Sequence, residues 1–219
     1  MTLRYRAVLF DLDGTLVDSA PDLAGTANDM RAERGLPALP LAQLRRHCGS
    51  GARGMLGEGL AIAPGDPGYP EMRLEFLQRY GQRLLRHSAV FDGVAELLES
   101  LDQAALPWGI VTNKSCVLAQ ALVDGLGLAP LVLVGGDSTP FTKPHPQPLL
   151  EAARRLALEP TACVYVGDDP RDMRAGRAAG MATLAAAWGY LGVEEPIEHW
   201  TADATLESCG ALLQWLRVP

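Results

Sequence analysis

The sequence predicts an α/β fold in which helices cover both faces of a parallel sheet and a separate group of helices is inserted after the first strand. From about residue 91 onwards, short apolar runs alternate with helical patterns. Such alternation is typical of right-handed βαβ crossovers and therefore of a parallel sheet. Between residues 17 and 87 the pattern is helical, without a convincing strand. We therefore divide the chain into a core, residues 1–16 and 88–219, and an inserted helical domain, residues 17–87.

The first predicted strand is the apolar run Ala7 to Phe10, which leads into Asp11, Asp13 and a glycine turn at Gly14. Because side chains alternate along an extended chain, the two carboxylates lie on one side of the backbone. An Asp-Gly turn after a strand is also a common hairpin signal that requires no function. The apolar run and the helical pattern that follows favour the carboxyl end of a parallel strand, where ligands bind in α/β sheets.

The inserted domain is predicted to begin with a capping box from Ser19 to Asp22, with Pro21 in the first turn of a helix that runs to about residue 34. Turns rich in glycine and proline separate three further helical patterns, at residues 41–47, 52–60 and 71–86. We expect a small helical bundle.

The core contains four more predicted strands, at residues 108–112, 131–134, 163–166 and 181–186. Thr112 and Asn113 end the first of these. A hydroxyl and backbone N–H groups at the start of a helix can bind phosphate oxygens. Either residue could instead serve only as a helix N-cap.

Lysine is scarce in this chain, since only Lys114 and Lys143 are lysines among the 19 basic residues. A lysine ammonium is a compact point charge that suits a single phosphate oxygen beside a metal site. Lys143 precedes Pro144, which stiffens the loop between two strands. A solvated loop lysine is the alternative, but scarcity and position favour a charge-binding role for Lys143. For Lys114, chance is an equally good explanation.

The strand that ends at Val166 leads into a cluster of carboxylates. Asp169 before Pro170 fits an N-cap followed by proline at the first helical position, and Asp172 then lies at the third. Asp168 precedes the cap, at the strand tip, and has no such structural explanation. We therefore assign Asp168 to a metal ion, with Asp172 as a partner just outside the ion's own ligands.

Together these residues predict a magnesium site that serves a phosphoryl group. Magnesium prefers oxygen ligands, and Asp11, Asp168 and the main-chain carbonyl of Asp13 would supply them. Asp11 would attack phosphorus and form an aspartyl-phosphate, while Asp13 would act as the general acid and then the general base. The oxygens of the transferring group would be stabilised by Thr112, Asn113 and Lys143.

Four elements of the chain resemble the four motifs of the haloacid dehalogenase superfamily, in order and across nearly its whole length. They are Asp11 to Thr15, Thr112, Lys143, and Gly167-Asp168 with Asp172. The resemblance implies a Rossmann-like core with a helical cap that closes over the site. The inserted helices resemble the cap of the phosphoglycolate phosphatase-like members.

Residue types within the superfamily separate its chemistries. Dehalogenases lack the second aspartate, which is present here as Asp13, and sugar phosphomutases carry a cap histidine where this chain has Leu23. The resemblance therefore implies a phosphatase of small phosphomonoesters, of the 2-phosphoglycolate or N-acetylmuramic acid 6-phosphate type. A sugar phosphomutase and a non-catalytic metabolite-binding protein are the alternatives.

Substrate choice is expected to reside in the glycine-rich loop at residues 48–54. Arg53, near a helix N-terminus, is suited to a substrate carboxylate. A tight turn with a solvated arginine is the alternative. We also expect His47 near the cleft.

Composition restricts the partners and the compartment. A net charge of -7 argues against nucleic-acid and anionic-membrane partners. The four cysteines form no CxxC pair and predict reduced thiols, with Cys163 packed in the core. No apolar run approaches the length of a membrane span. We expect a cytoplasmic monomer or homodimer that acts on a small molecule.

Overall fold

The computed structural model describes residues 4–193 and 195–218, and within them six strands form one parallel sheet. The strands of the described chain are β1 (Ala7–Phe10), β2 (Val17–Asp18), β3 (Ala89–Val90), β4 (Trp108–Val111), β5 (Val132–Val134), β6 (Cys163–Gly167), β7 (Ala182–Ala186) and β8 (Ala204–Leu206). The parallel sheet has the order β5-β4-β1-β6-β7-β8, and β2 pairs with β3 in an antiparallel ribbon. The predicted parallel α/β fold is confirmed.

Helices connect these strands and fill the insertion. They are α1 (Ala20–Glu33), α2 (Leu41–Arg45), α3 (Gly51–Leu60), α4 (Tyr69–Arg83), α5 (Val94–Gln103), α6 (Cys116–Gly125), α7 (Gln147–Arg155), α8 (Pro170–Ala178) and α9 (Cys209–Leu216). Each helical pattern expected in the insertion forms a helix, α1 to α4. Within the described ranges, no helix combines the length and apolar character needed to cross a membrane.

The core is built on both faces of the parallel sheet, as the apolar strands predicted. Val8 and Phe10 of β1 pack into one apolar cluster, and Ala7 and Leu9 pack into another on the opposite face. Strands buried on both faces are apolar throughout, because helices cover both sides of a parallel sheet. The carboxyl ends of β1, β4 and β6 consequently meet at one edge.

Three strands were not predicted, because each is too short to leave a clear pattern. β2 and β3 have two residues each, and β8 is a partly exposed strand of three at the sheet edge. The β2–β3 ribbon joins the two chain crossings between the core and helices α1 to α4, which we call the helical bundle. The bundle has its own apolar core, which includes Leu23, Met30 and Phe76.

The predicted capping box at Ser19 is wrong. Ser19 makes no side-chain cap to α1, and its hydroxyl instead donates to the carboxylate of Asp13, since an ionised acceptor forms the stronger hydrogen bond. The Asp22 carboxylate turns away from the helix start. Its Oδ2 accepts from the N–H of His87 at 3.0 Å, and from the N–H and hydroxyl of Ser88 at 2.9 and 2.7 Å. Asp22 therefore ties α1 to the chain returning to the core.

Candidate functional site

A cavity of about 260 Å³ lies between the carboxyl edge of the parallel sheet and the helical bundle. Its walls come from both sides, so neither the core nor the bundle forms it alone. The core side includes Asp11, Asp13 and Lys143, and the bundle side includes Arg53, Arg73 and Tyr80.

Lys143 lies beside Asp11, although 132 positions along the chain separate them. Its Nζ is 3.0 Å from Oδ1 of Asp11 and 2.7 Å from Oδ1 of Asp172, and it donates to the hydroxyl of Tyr165 at 2.7 Å. Burial alone would lower the pKa of the Lys143 ammonium, but the charges of Asp11 and Asp172 raise it. Lys143 is therefore a fixed, buried positive charge at the end of β1.

Three carboxylates meet at this point. Asp11, Asp168 and Asp172 each place one oxygen within 4.8 Å of the other two. Burial, followed by the charges of Asp11 and Asp172, raises the pKa of Asp168 well above its usual range. Burial also raises the pKa of Asp172 to about 7, with Lys143 opposing the shift and Asp11 adding to it. Such crowding of buried acids favours a divalent cation, and oxygen ligands match what magnesium prefers.

Asp172 belongs to this cluster, and both of its oxygens have protein partners, since Oδ1 lies 2.7 Å from Nζ of Lys143 and Oδ2 accepts from the N–H of Asp169. Its place just outside the ion's own ligands stays a prediction. The side chain of Asp13 is not in this cluster, which agrees with an expected contribution from its main-chain carbonyl only.

The carboxylate of Asp13 forms an ion pair with the second lysine, Lys114. The Nζ of Lys114 lies 2.9 Å from each of its oxygens, and the hydroxyl of Ser19 donates to it as well. The Lys114 ammonium also lies over the ring of Tyr80, 4.7 Å from the ring centroid. Burial opposes the charge on Lys114, but Asp13 raises its pKa above the ordinary value. Lys114 therefore connects Asp13 to the bundle. From the sequence, chance explained the lysine at this position equally well.

The side chain of Asn113 contacts the loop that carries Lys143, and its predicted contact with phosphate oxygens stays a prediction. Its side-chain amide donates to the carbonyl of Lys143 at 3.0 Å and accepts from the N–H of Lys143 at 2.9 Å. The side chain thereby fixes the lysine loop. The backbone N–H of Asn113 has no acceptor among the described residues. Ser115 rather than Thr112 or Asn113 is the N-cap residue of α6, so the capping alternative is wrong. The buried hydroxyl of Thr112 accepts from the N–H of Lys114 at 3.2 Å.

The predicted N-cap at Asp169 is confirmed. Its carboxylate accepts from the N–H of Arg171 at 2.9 Å, and Asp172 accepts in return from the N–H of Asp169 at 3.2 Å. The guanidinium of Arg171, which was not predicted, also donates to the carbonyl of Gly49 at 2.6 Å. This contact joins α8 of the core to the glycine-rich loop of the bundle.

Sequence reasoning also missed the groups that hold Asp168. The hydroxyl of Thr15 donates to its Oδ1 at 2.9 Å, and the N–H of Tyr190 donates to its Oδ2 at 2.8 Å. Gly14 has a φ of +89°, and a Cβ at this position would overlap the Asp168 carboxylate. Only glycine therefore fits the turn after β1.

Two residues of the bundle were expected near the cleft, and the structure separates them. Arg53 lines the cavity from the first turn of α3. His47 does not line this cavity but lines an adjoining pocket, which shares Gly49 and Ser50 with it, and its Nε2 lies 3.4 Å from a carboxylate oxygen of Glu58. Arg73 of α4, which the sequence did not single out, lines the cavity in its place.

Comparisons with known proteins agree with this geometry. A family model described as haloacid dehalogenase-like hydrolase matches residues 8–186. A phosphoglycolate phosphatase of Xanthomonas campestris is 52% identical over 206 residues, which are 92% of each chain. An N-acetylmuramic acid 6-phosphate phosphatase of Pseudomonas putida is 42% identical, over 94% of this chain and 93% of its own. The crystal structure of a predicted phosphoglycolate phosphatase from Haemophilus somnus superposes with a TM-score of 0.84 at 27% identity, over 98% of this chain and 99% of that chain.

Proposed function

The chain belongs to the haloacid dehalogenase-like hydrolases, and from that premise we propose that it is a magnesium-dependent phosphatase of small phosphomonoesters. The ester is of the 2-phosphoglycolate or N-acetylmuramic acid 6-phosphate type, as the names of its relatives suggest. One observation supports this proposal more directly than any other. Asp11 lies against Lys143 within a cluster of carboxylates, while Asp13, two residues on, faces the same cavity with a separate lysine.

The proposed magnesium ion would be held by the carboxylates of Asp11 and Asp168 and by the main-chain carbonyl of Asp13, with Asp172 beside them in the carboxylate cluster. When bound, the ion would offset the charges of the nucleophile and the phosphoryl group and polarise a phosphoryl oxygen. Oxygen donors crowded this closely would otherwise repel one another.

In the first step, Asp11 attacks the phosphorus atom and the bond from phosphorus to the ester oxygen breaks. Oδ1 of Asp11 is held by Lys143 and by the N–H of Leu12 at 2.7 Å, whereas Oδ2 accepts no hydrogen bond from the described residues. Oδ2 is therefore the attacking oxygen. Asp13 acts as the general acid and delivers a proton to the leaving alkoxide.

In the second step, Asp13 takes a proton from water, and the water oxygen attacks the phosphorus of the aspartyl-phosphate. The bond between phosphorus and Asp11 breaks, which releases inorganic phosphate and restores the enzyme. Lys143, the hydroxyl of Thr112 and the backbone N–H of Asn113 hold the phosphoryl oxygens in both steps.

The helical bundle, within residues 17–87, is proposed to act as a cap. The chain enters and leaves it through the β2–β3 ribbon, and Arg171 and Lys114 contact it from the core. Closure would exclude bulk water during attack by Asp11, and opening would admit substrate and release product.

The test is release of inorganic phosphate from a panel of esters, with magnesium and with a chelator. The panel contains 2-phosphoglycolate, N-acetylmuramic acid 6-phosphate and common sugar phosphates. The proposal requires magnesium-dependent release from at least one ester. Interconversion of sugar phosphate isomers without net phosphate release would instead indicate a phosphomutase, and binding without turnover would indicate a metabolite-binding protein.

A further inference from the structure

The bundle side of the cavity presents two guanidinium groups and no carboxylate among its described residues. Arg53 reaches the cavity from the first turn of α3, and Arg73 reaches it from the first half of α4. The two arginines come from different helices of the bundle, so the packing of α3 against α4 brings them to one cavity.

The acids on the core side of the cavity do not neutralise these arginines. Asp11 and Asp172 are paired with Lys143, Asp13 is paired with Lys114, and Asp169 is paired with Arg171. Each core carboxylate that lines the cavity therefore already has a cation.

Arg53 and Arg73 form no ion pair with any residue in the described ranges. Arg79, on the same helix as Arg73 but outside the cavity, shows the contrast. It lies 2.6 Å from a carboxylate oxygen of Glu33 and 2.9 Å from one of Glu75. Two exposed guanidinium groups without a carboxylate partner among the described residues therefore line the bundle side of the cavity, and the proposed nucleophile lines the core side.

We propose that Arg53 and Arg73 together bind a carboxylate on the alcohol part of the ester, so that the substrate class is the phosphate esters of hydroxy acids. The inference rests on the proposed function, because both ester types named there carry one carboxylate besides the phosphate. An arginine guanidinium presents paired N–H donors that match the two oxygens of a carboxylate. Arg53 and Arg73 then determine specificity, whereas Asp11 and Lys143 act on the phosphate.

The remaining bundle wall suits the carbon part of such an ester. Leu23 and Leu77 line the cavity together with the two arginines, and they offer apolar surface to the carbon atoms of the ester. An ester with a neutral group in place of the carboxylate would leave both guanidinium groups without an anion.

The experiment compares two matched pairs of esters that differ in the carboxylate. One pair is 2-phosphoglycolate and 2-hydroxyethyl phosphate. The other is N-acetylmuramic acid 6-phosphate and N-acetylglucosamine 6-phosphate, which lacks the lactyl group. The value of kcat/KM is measured for each ester with the wild type, Arg53→Met and Arg73→Met, with Arg79→Met as the control on the same helix.

One of the two pairs contains the ester that the wild type hydrolyses faster. In that pair, we expect the ester with the carboxylate to have the higher kcat/KM. The ratio of kcat/KM between its two members should fall by about 10- to 100-fold in Arg53→Met and in Arg73→Met, the usual effect of losing a charged hydrogen bond. The fall should lie mainly in KM, because ground-state binding is lost. Arg73→Lys should recover part of the ratio, and Arg79→Met should leave it unchanged.

Three results would overturn the inference. The wild type could show no preference within either pair, or both members of a pair could lose activity equally in the arginine variants. The arginine variants could also affect only a bisphosphate added to the panel, which would assign Arg53 and Arg73 to a second phosphate. Absence of magnesium-dependent release from these four esters and from every other ester of the panel would instead remove the proposed function, and the inference with it.

Discussion

The Nζ of Lys114 lies 2.9 Å from both carboxylate oxygens of Asp13, and it lies over the ring of Tyr80 from the helical bundle. The other lysine of the chain, Lys143, lies 3.0 Å from Asp11. Each of the two aspartates after β1 therefore has a lysine of its own. This arrangement separates the proposed nucleophile from the proposed acid and base, and it ties the second of them to the bundle.

Lys114→Met should slow turnover without weakening substrate binding. Asp13 would lose the cation that holds its carboxylate at the cavity, and general acid-base catalysis typically contributes about 10²- to 10⁴-fold. We expect kcat to fall by about 10- to 100-fold within that range, with KM changed by less than about threefold. Steady-state kinetics with saturating magnesium measure both. Val117→Ala, at a position that is 78% exposed on α6, is the control, and an unchanged kcat in Lys114→Met would contradict the role of Lys114.

Asp168→Asn should remove most of the stabilisation that magnesium confers. Binding to the folded state alone raises stability with ligand concentration, so the wild type should gain about 5 °C in Tm at a magnesium concentration far above Kd. Loss of one carboxylate from the cluster should remove most of that gain. Thermal unfolding with and without magnesium provides the measurement. Asp124→Asn, an exposed change on α6, should retain the full gain, and an equal gain in Asp168→Asn would place the metal elsewhere.

Asp22→Ala should destabilise the protein strongly, since Asp22 is completely buried and accepts three hydrogen bonds from His87 and Ser88. We expect a loss of about 2–4 kcal/mol in the free energy of unfolding, because buried N–H groups would be left without acceptors. Asp29→Ala is the matched control. Oδ1 of Asp22 lies 3.8 Å from Nε of Arg83. Asp29 pairs with the same arginine, at 2.6 Å, but is 58% exposed, so its loss should cost less than about 1 kcal/mol. Urea unfolding of both variants measures the two losses in the free energy of unfolding. Similar losses would contradict the proposed stabilising role of the Asp22 hydrogen bonds.

Gly14→Ala should remove activity, and Gly35→Ala should not. Both glycines have a positive φ, +89° and +69°, so each substitution should cost on the order of 1 kcal/mol of stability. Only at Gly14 would the added Cβ also meet the Asp168 carboxylate, while Gly35 has open space around it. Phosphate release by the two variants separates backbone strain from displacement of Asp168. Comparable activity in both would show that the Asp168 position is not essential.

Much of the site could be predicted from the sequence, because its residues lie directly after strands that are neighbours in the sheet. Asp11 and Asp168 come directly after apolar strands, and parallel neighbouring strands bring their ends to one edge of the sheet. The N-cap at Asp169 depends only on local spacing before Pro170, so it too could be predicted. The roles assigned to these residues remain predictions until the variants are measured.

The contacts that the sequence did not reveal depend on side-chain direction and on packing between distant elements. Ser19 could have capped the start of α1. Its hydroxyl donates to Asp13 instead, because a charged acceptor forms the stronger hydrogen bond. Asn113 could point at a ligand or at the lysine loop, and nothing local distinguishes the two. Arg73 reaches the cavity only because of how α4 packs in the bundle. Periodicity locates a helix but not its neighbours.

In the proposed mechanism, Asp11 carries the phosphoryl group during turnover. The most direct measurement is acid quenching of the enzyme during hydrolysis of its preferred ester, followed by mass spectrometry of the peptide that contains Asp11. We expect one phosphoryl group on Asp11 in the wild type, and neither this modification nor phosphate release in Asp11→Asn. Phosphate release that survives in Asp11→Asn, or a phosphoryl group found on a different residue, would contradict this mechanism.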